Sequence, residues 1–245
     1  MVEITIYHVI PREQRDRGNP FSLRLFSRAM QSIAKDTDCH GHKCPRNDVQ
    51  IRKVVQSMNY AEMVAKFSRM AEEKGMVNSL EGNLSVIDRS TGNIYITPSH
   101  KAKRLLTPEM ICVVNPEGEQ IGGTGKKSSE YFLHEAAYKA RPDAGAVFHC
   151  HVPYLSAYAF AYKDFVTDPD TFLQRIFGTI TCLPYGEHGT HDIHKGIEEA
   201  LNGRPVALLG GHGVVCVGED LEDAIGILEA AENYAKTIYI REKIK

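Results

Sequence analysis

No stretch of the 245-residue chain approaches the ~18 apolar residues that a membrane-spanning helix needs. A helical membrane protein is thereby excluded. The opening residues, 1–16, place the acidic Glu3 early and have no long apolar run, so no signal peptide is expected. An excess of one charge is also missing. The 29 Lys+Arg nearly balance the 31 Asp+Glu, for a net charge of −2. That balance argues against non-specific nucleic-acid binding and leaves only a local basic patch open. Tryptophan is absent, and cysteine is sparse. Cys39, Cys44, Cys112, Cys150, Cys182 and Cys216 follow no secreted-scaffold spacing. A chain of this length buries enough core to need no disulfide staples. A reduced, cytoplasmic setting is expected. There is no internal repeat and no low-complexity run. What is present is an ordinary globular mixture, 42% hydrophobic and 24% charged. The 11 histidines are the one compositional hint of chemistry.

Residues 1–56 read as an N-terminal extension of open role, and 57–245 as one larger domain. In the extension, Glu3–Ile10 has strand composition. Phe21–Ala34 has fair helical spacing, and Asp36–Asp48 is a polar loop. In the larger domain, Tyr60, Met63, Val64, Phe67, Met70 and Ala71 mark one helix face, ended by Gly75. Leu84–Ile87 and Ile94–Thr97 read as strands around an Asp88–Asn93 turn, and Met110–Val114 as a third. Ser128 and Ser129 are placed to cap a helix running to Lys139, closed by Arg141-Pro142. Ala144–His151, Pro205–Leu209 and Val214–Val217 are further strands. Asp220 caps a last helix whose buried face is Leu221, Ile225, Leu228, Ala231, Ala235 and Ile238. Interleaved helices and strands predict an α/β or mixed class, and the hairpins predict a largely antiparallel sheet.

His149 and His151 end an apolar strand two residues apart, so both imidazoles share one face and Cys150 takes the other. Two imidazoles at that spacing supply half of a typical divalent-metal site. Gly210-Gly211-His212-Gly213 offers a third, presented by glycines at a strand end. Three neutral histidines leave an open position, the catalytic arrangement. The competing reading is three unrelated histidines. Glu130, at the start of its helix, is either a carboxylate favoured by the helix dipole or a general base beside the metal. Ser128 and Ser129 offer hydroxyls and free N–H groups for an anion, with Lys126 and Lys127 adjacent.

These residues resemble the class II aldolase/adducin family. The blocks that carry the resemblance run in the family's order over residues 57–240. They are Gly82-Asn83-Leu84-Ser85, Ile96-Thr97-Pro98-Ser99, Ser128-Ser129-Glu130, Arg141-Pro142-Asp143-Ala144, Val147-Phe148-His149-Cys150-His151, Pro184-Tyr185 with Gly189-Thr190, and Gly211-His212-Gly213. The resemblance implies a three-layer α/β/α fold around a central, mostly antiparallel sheet. It implies a homotetramer with active sites at subunit interfaces. It assigns His149, His151 and His212 as ligands of Zn²⁺, with another divalent metal as the alternative. Glu130 matches the catalytic carboxylate, which is Glu in the family's aldolases and Asp in its epimerases. Asn83, Ser99, Ser128 and Ser129 match the substrate phosphate site. The implied activity is aldol cleavage of a small ketose phosphate through a metal-stabilised enediolate, with Glu130 moving the proton. Epimerisation, dehydration or decarboxylation of a related substrate are the alternatives within the family. A non-catalytic, adducin-like interaction module is the alternative outside catalysis.

The sequence departs from the family pattern at three points. Leu80 stands where a hydroxyl residue is usual, and His100 stands where Gly usually follows Ser99. The Tyr that handles the proton on the aldehyde oxygen, as general acid in the condensing direction, has no match in Asp168–Phe172, which leaves Tyr162 and Asp170 as stand-ins. Cys39-His40-Gly41-His42-Lys43-Cys44 fits no standard zinc finger and reads as a polar loop or a second metal site. His188, His191 and His194 read as surface or rim groups. Lys101, Lys103 and Arg104 read as a solvated helix start or as anion contacts that compensate for His100. Tyr154, Tyr158 and Tyr162 read as a packing stripe.

Overall fold

The computed structural model describes residues 59–169, 171–187 and 189–244. The predicted strand and helix before residue 56, the Cys39–Cys44 cluster, Asp170 and His188 lie outside them. The centre is an eight-stranded sheet in the order β4-β3-β2-β1-β5-β10-β9-β8. Its strands are β1 Asn83–Ile87, β2 Ile94–Ile96, β3 Cys112–Val114, β4 Gln120–Gly122, β5 Ala146–Cys150, β8 Cys182–Leu183, β9 Val206–Leu209 and β10 Gly213–Gly218. Every pairing is antiparallel except β8 with β9. A separate ribbon pairs β6 Phe165–Val166 with β7 Thr179–Ile180.

Alternation along the strands sends side chains to two layers of helix. Leu84, Val86, Phe148, Cys150, Val214 and Cys216 face one side. There they pack on α1 Tyr60–Glu73, α3 Pro153–Phe160 and α6 Leu221–Ile244. Val147, Val215 and Val217 face the other side, toward α2 Tyr131–Ala140 and α5 Ile197–Ala200. A short helix, α4 Phe172–Ile176, lies between β6 and β7. No helix among the described residues is long and apolar enough to cross a membrane.

The long elements match their periodicities, with small shifts. On α1 the fully buried line is Ala61, Val64, Ala65, Ser68 and Ala71. Tyr60, Phe67 and Met70 flank it, partly buried, because the small residues let the helix sit close to the sheet. β3 starts two residues later than predicted because Pro108–Met110 form a 3₁₀ turn, with Pro108 at its first position. Asp220 caps α6 as expected, its carboxylate accepting from the Asp223 N–H at 2.8 Å. Helix α2 differs most. It begins at Tyr131 with Glu130 at the N-cap, so Ser128 and Ser129 precede the helix rather than cap it.

Candidate metal centre

Strand β5 and the turn before β10 bring three histidines together. His149 is fully buried near the end of β5 and pairs across the sheet with Asn83 on β1 and Val215 on β10. His151 follows the strand, and Pro153 then opens α3. The start of α3 is fixed from α6, where the Glu232 carboxylate accepts from the Tyr154 and Leu155 N–H groups at 2.8 and 2.9 Å. His212 sits between Gly211, whose φ is +66°, and Gly213. A Cβ on Gly213 would lie 2.5 Å from the His151 ring, so only glycine lets the two loops close on each other.

The ligand atoms of His149, His151 and His212 all lie within 4.8 Å of one another. This is the group of metal-ligating type found among the described residues. The His149 and His151 Nε2 atoms are 3.1 Å apart. His149 donates from Nδ1 to the Val214 carbonyl at 2.9 Å, which fixes the tautomer and turns the Nε2 lone pair inward. Burial pushes the His149 pKa down to about 4 and also lowers that of His151. Both rings are therefore neutral, the form that binds a cation. The site fits a divalent metal by its donor set.

Glu130 is buried against this group. Its Oε2 lies 3.3 Å from His149 Nε2 and its Oε1 3.1 Å from His212 Nε2. Burial works against its charge, but the hydrogen bonds that the His212 ring and the Asn83 amide give it hold the carboxyl below the usual carboxylate range. Glu81 touches the outer side of the cluster, with Oε1 3.5 Å from His151 Nδ1.

The hydroxyl residues fall into one neighbourhood beside Glu130. Ser99 Oγ donates to the Lys127 carbonyl and accepts from the Ser129 N–H, both at 3.1 Å. Ser128 Oγ accepts from the Glu130 N–H at 3.2 Å. His100 keeps φ at +55°, the left-handed geometry glycine favours, so the backbone course is retained without the glycine. Leu80 is exposed. Asn83 is buried, its amide held by Glu130 on one side and His134 on the other.

In the basic run Lys101 and Arg104 are exposed at a 3₁₀ turn, Lys103–Leu105, and only Lys103 departs from a solvated helix start. Arg104 is taken by Glu72, at 2.6 Å, and by Ser79. Lys103 is 2% exposed, and burial lowers its pKa against the pull of Glu72, Glu130 and Glu81. Tyr154 and Tyr158 pack against the core, whereas Tyr162 leaves α3 with φ +53° and lies over Gly210 and Gly211. His191 and His194 sit outside the histidine group, with His191 stacked 4.0 Å from Phe132.

Three residues of this neighbourhood were given no role from the sequence: His134 and Tyr138 on α2, and Ser85 on β1, which was quoted only within a motif. Their signal was spacing. Glu130, His134 and Tyr138 recur every four residues, one face of a helix, and Ser85 shares a strand face with Asn83.

The family model described as the class II aldolase and adducin N-terminal domain matches residues 62–239. A 5-methylthioribulose-1-phosphate/5-deoxyribulose-1-phosphate aldolase of Escherichia coli is 29% identical over 189 residues, covering 76% of this chain and 86% of that one. A 3-oxo-tetronate 4-phosphate decarboxylase of Haemophilus influenzae is 32% identical over 184 residues, covering 73% and 86%. Among solved structures, an L-fuculose 1-phosphate aldolase superposes with a TM-score of 0.71 at 25% identity, covering 77% of this chain and 88% of that one. The fold class expected from the motifs is the one these neighbours share.

Proposed function

The chain belongs to the class II aldolase and adducin family, and from this premise we propose that it is a metal-dependent lyase that cleaves a small ketose phosphate by a retro-aldol reaction. His149, His151 and His212 hold the cation, with Zn²⁺ the first expectation for a set of three imidazoles. When bound, the cation supplies electrophilic polarisation of the ketose oxygens, so that negative charge developing on them is tolerated. Glu130 is the base, holding or giving up a proton at a carboxylate oxygen as the substrate carbon loses or gains it. Ser99, Ser128 and Ser129 receive the phosphate, together with the second amide hydrogen of Asn83. The observation that carries the reading is the Glu130 carboxylate, buried yet held ionised, within 3.3 Å of two of the three imidazoles. Assembly as a homotetramer with sites at subunit borders belongs to the same reading. It is supported by the exposed Tyr162 and Tyr185 beside the Gly211 turn.

Decarboxylation is the second reading. It is favoured by the 32% identical decarboxylase and by the missing Tyr that aldolases of the family use as acid. Both reactions leave a carbanion beside a carbonyl, so they share the cation and Glu130 and differ in the fragment released.

Three experiments test the proposal. Glu130→Gln should abolish turnover while the metal stays bound; full activity in that variant ends the assignment. Phosphorylated and unphosphorylated ketoses are screened for aldehyde release with Zn²⁺ present and then chelated. Carbon dioxide from a 3-oxo acid phosphate, with no aldehyde from any ketose, would replace the aldolase by the decarboxylase. No bound divalent metal after dialysis would favour a non-catalytic module.

A further inference from the structure

A continuous chain of buried polar groups runs from the interior of the second layer to Glu130. The Tyr138 hydroxyl meets Ser85 Oγ at 2.8 Å, and Ser85 Oγ meets His134 Nδ1 at 2.7 Å. His134 Nε2 meets the Asn83 amide oxygen, and the Asn83 amide nitrogen donates to Glu130 Oε2. All five residues are buried.

Each link fixes the direction of the next. Asn83 turns its NH₂ toward Glu130 Oε2, where the amide donates. Its carbonyl oxygen then faces His134, which must carry a proton on Nε2. Complete burial disfavours a charged ring, pushing the His134 pKa down to about 3, so Nδ1 is left without a proton and accepts. Ser85 has one hydroxyl proton and gives it to Nδ1, so Ser85 accepts from Tyr138. Reversing any link would leave two donors or two acceptors facing each other among buried groups.

We propose that His134 is a positioning residue: a neutral Nε2–H imidazole, locked by Ser85 and Tyr138, that holds the Asn83 amide in the one orientation that aims the Glu130 carboxylate at the histidine cluster. The inference rests on the reading of Glu130 as the base. It extends that reading to groups that touch neither substrate nor metal. Without His134 the Asn83 carbonyl oxygen would lose its buried donor and the amide would be held at its Glu130 end alone, so Glu130 would lose part of its fixed aim.

The test has one arm that needs no turnover. Long-range ¹H–¹⁵N NMR of the imidazoles, on the full chain with and without Zn²⁺, should show His134 neutral and protonated on Nε2 at pH 7. A proton on Nδ1, or a charged ring, overturns the proposal whatever Glu130 does. The second arm follows deuterium exchange from D₂O into dihydroxyacetone phosphate, the three-carbon fragment that cleavage of any ketose 1-phosphate releases. His134→Leu should slow exchange about 10- to 100-fold with metal content unchanged, and with any rise in KM no larger than Asn83→Ala causes. The double variant with Asn83→Ala should be no slower than Asn83→Ala alone. His134→Gln, whose amide again donates to Asn83, should recover part of the rate. A loss of metal, a rise in KM beyond that of Asn83→Ala, or additive losses would overturn the role. Ser85→Ala, which removes one atom, serves where His134→Leu does not fold; it should slow exchange less and leave the His134 tautomer mixed. An unmixed tautomer with unchanged exchange would overturn the lock. Should the parent protein show no exchange at all, the base assignment falls while the NMR arm still decides the orientation of the chain.

Discussion

On β5, Phe148 and Cys150 enter the layer formed by α1, α3 and α6, while His149 between them enters the layer of α2. On β1, Leu84 and Val86 take the first direction, and Asn83 and Ser85 the second. The first layer is largely hydrocarbon, with the hydroxyls of Ser68 and Ser156 among the few polar groups buried in it. The second has its own apolar cluster, but where β1 and β5 run under α2 it gives way to Asn83, Ser85, Glu130, His134 and His149. Burial is equal on the two sides, so burial alone does not separate fold from chemistry. What separates them is whether the buried atoms demand partners. Apolar groups tolerate replacement by volume, whereas each polar group constrains the next.

The sharpest way to break this comparison is to change adjacent residues of one strand. His149→Ala should empty the metal site and lower turnover about 1000-fold or more, consistent with several kcal/mol of charge stabilisation. Its neighbour Phe148→Ala should leave metal binding and turnover per folded molecule intact and cost about 3–5 kcal/mol of stability. Metal analysis and denaturant unfolding on the two variants read both effects. A Phe148→Ala protein that folds normally but loses its metal would mean that the layers are not independent.

Acid should distinguish the layers next. His134 and His149 are neutral in the folded chain, with pKa values pushed down by burial to about 3 and about 4. In the unfolded chain each protonates near 6.5. Between pH 6.5 and 4 the unfolded state therefore binds more protons, and stability falls as pH falls. Each histidine contributes up to about 1.4 kcal/mol per pH unit in that window and nothing above it. In the metal-free protein, His134→Gln should flatten the decline by up to that slope. Phe148→Ala should lower the whole curve and keep its slope.

The contrast was partly legible in the sequence. Strand alternation is strict enough that His149 and His151 could be paired, and glycines around His212 marked a sharp turn. The long helices α1 and α6 followed their apolar periods because burial of one face dominates a helix of that length. The short elements β4, β6, β7 and β8 were not legible, since two- or three-residue strands are held by their neighbours in space. Lys103 was misread for a similar reason: a charge beside Lys101 and Arg104 looks solvated until the fold covers it. His134 and Tyr138 were hidden because a polar residue every fourth position resembles a water-facing stripe. Only the opposing Asn83 and Ser85, about fifty residues away in sequence, turn that stripe inward.

The smallest test concerns two serines in opposite layers. Ser156 on α3 is buried, and its hydroxyl has no hydrogen-bond partner among the described residues. An unmet buried hydroxyl costs about 1–3 kcal/mol in lost hydration, and alanine removes the hydroxyl without emptying much volume. Ser156→Ala should therefore raise stability by about 1 kcal/mol and leave activity alone, read as a shift of the denaturant midpoint at unchanged slope. Ser85→Ala removes the same atom from a hydroxyl that meets both His134 and Tyr138. It should lower stability, because the buried His134 Nδ1 and Tyr138 hydroxyl are left unmatched. Opposite signs from the same substitution would tie the difference between the layers to hydrogen-bond demand. Destabilisation in both would mean that Ser156 has a partner in the assembled protein, and that the apolar layer is more selective than its composition implies.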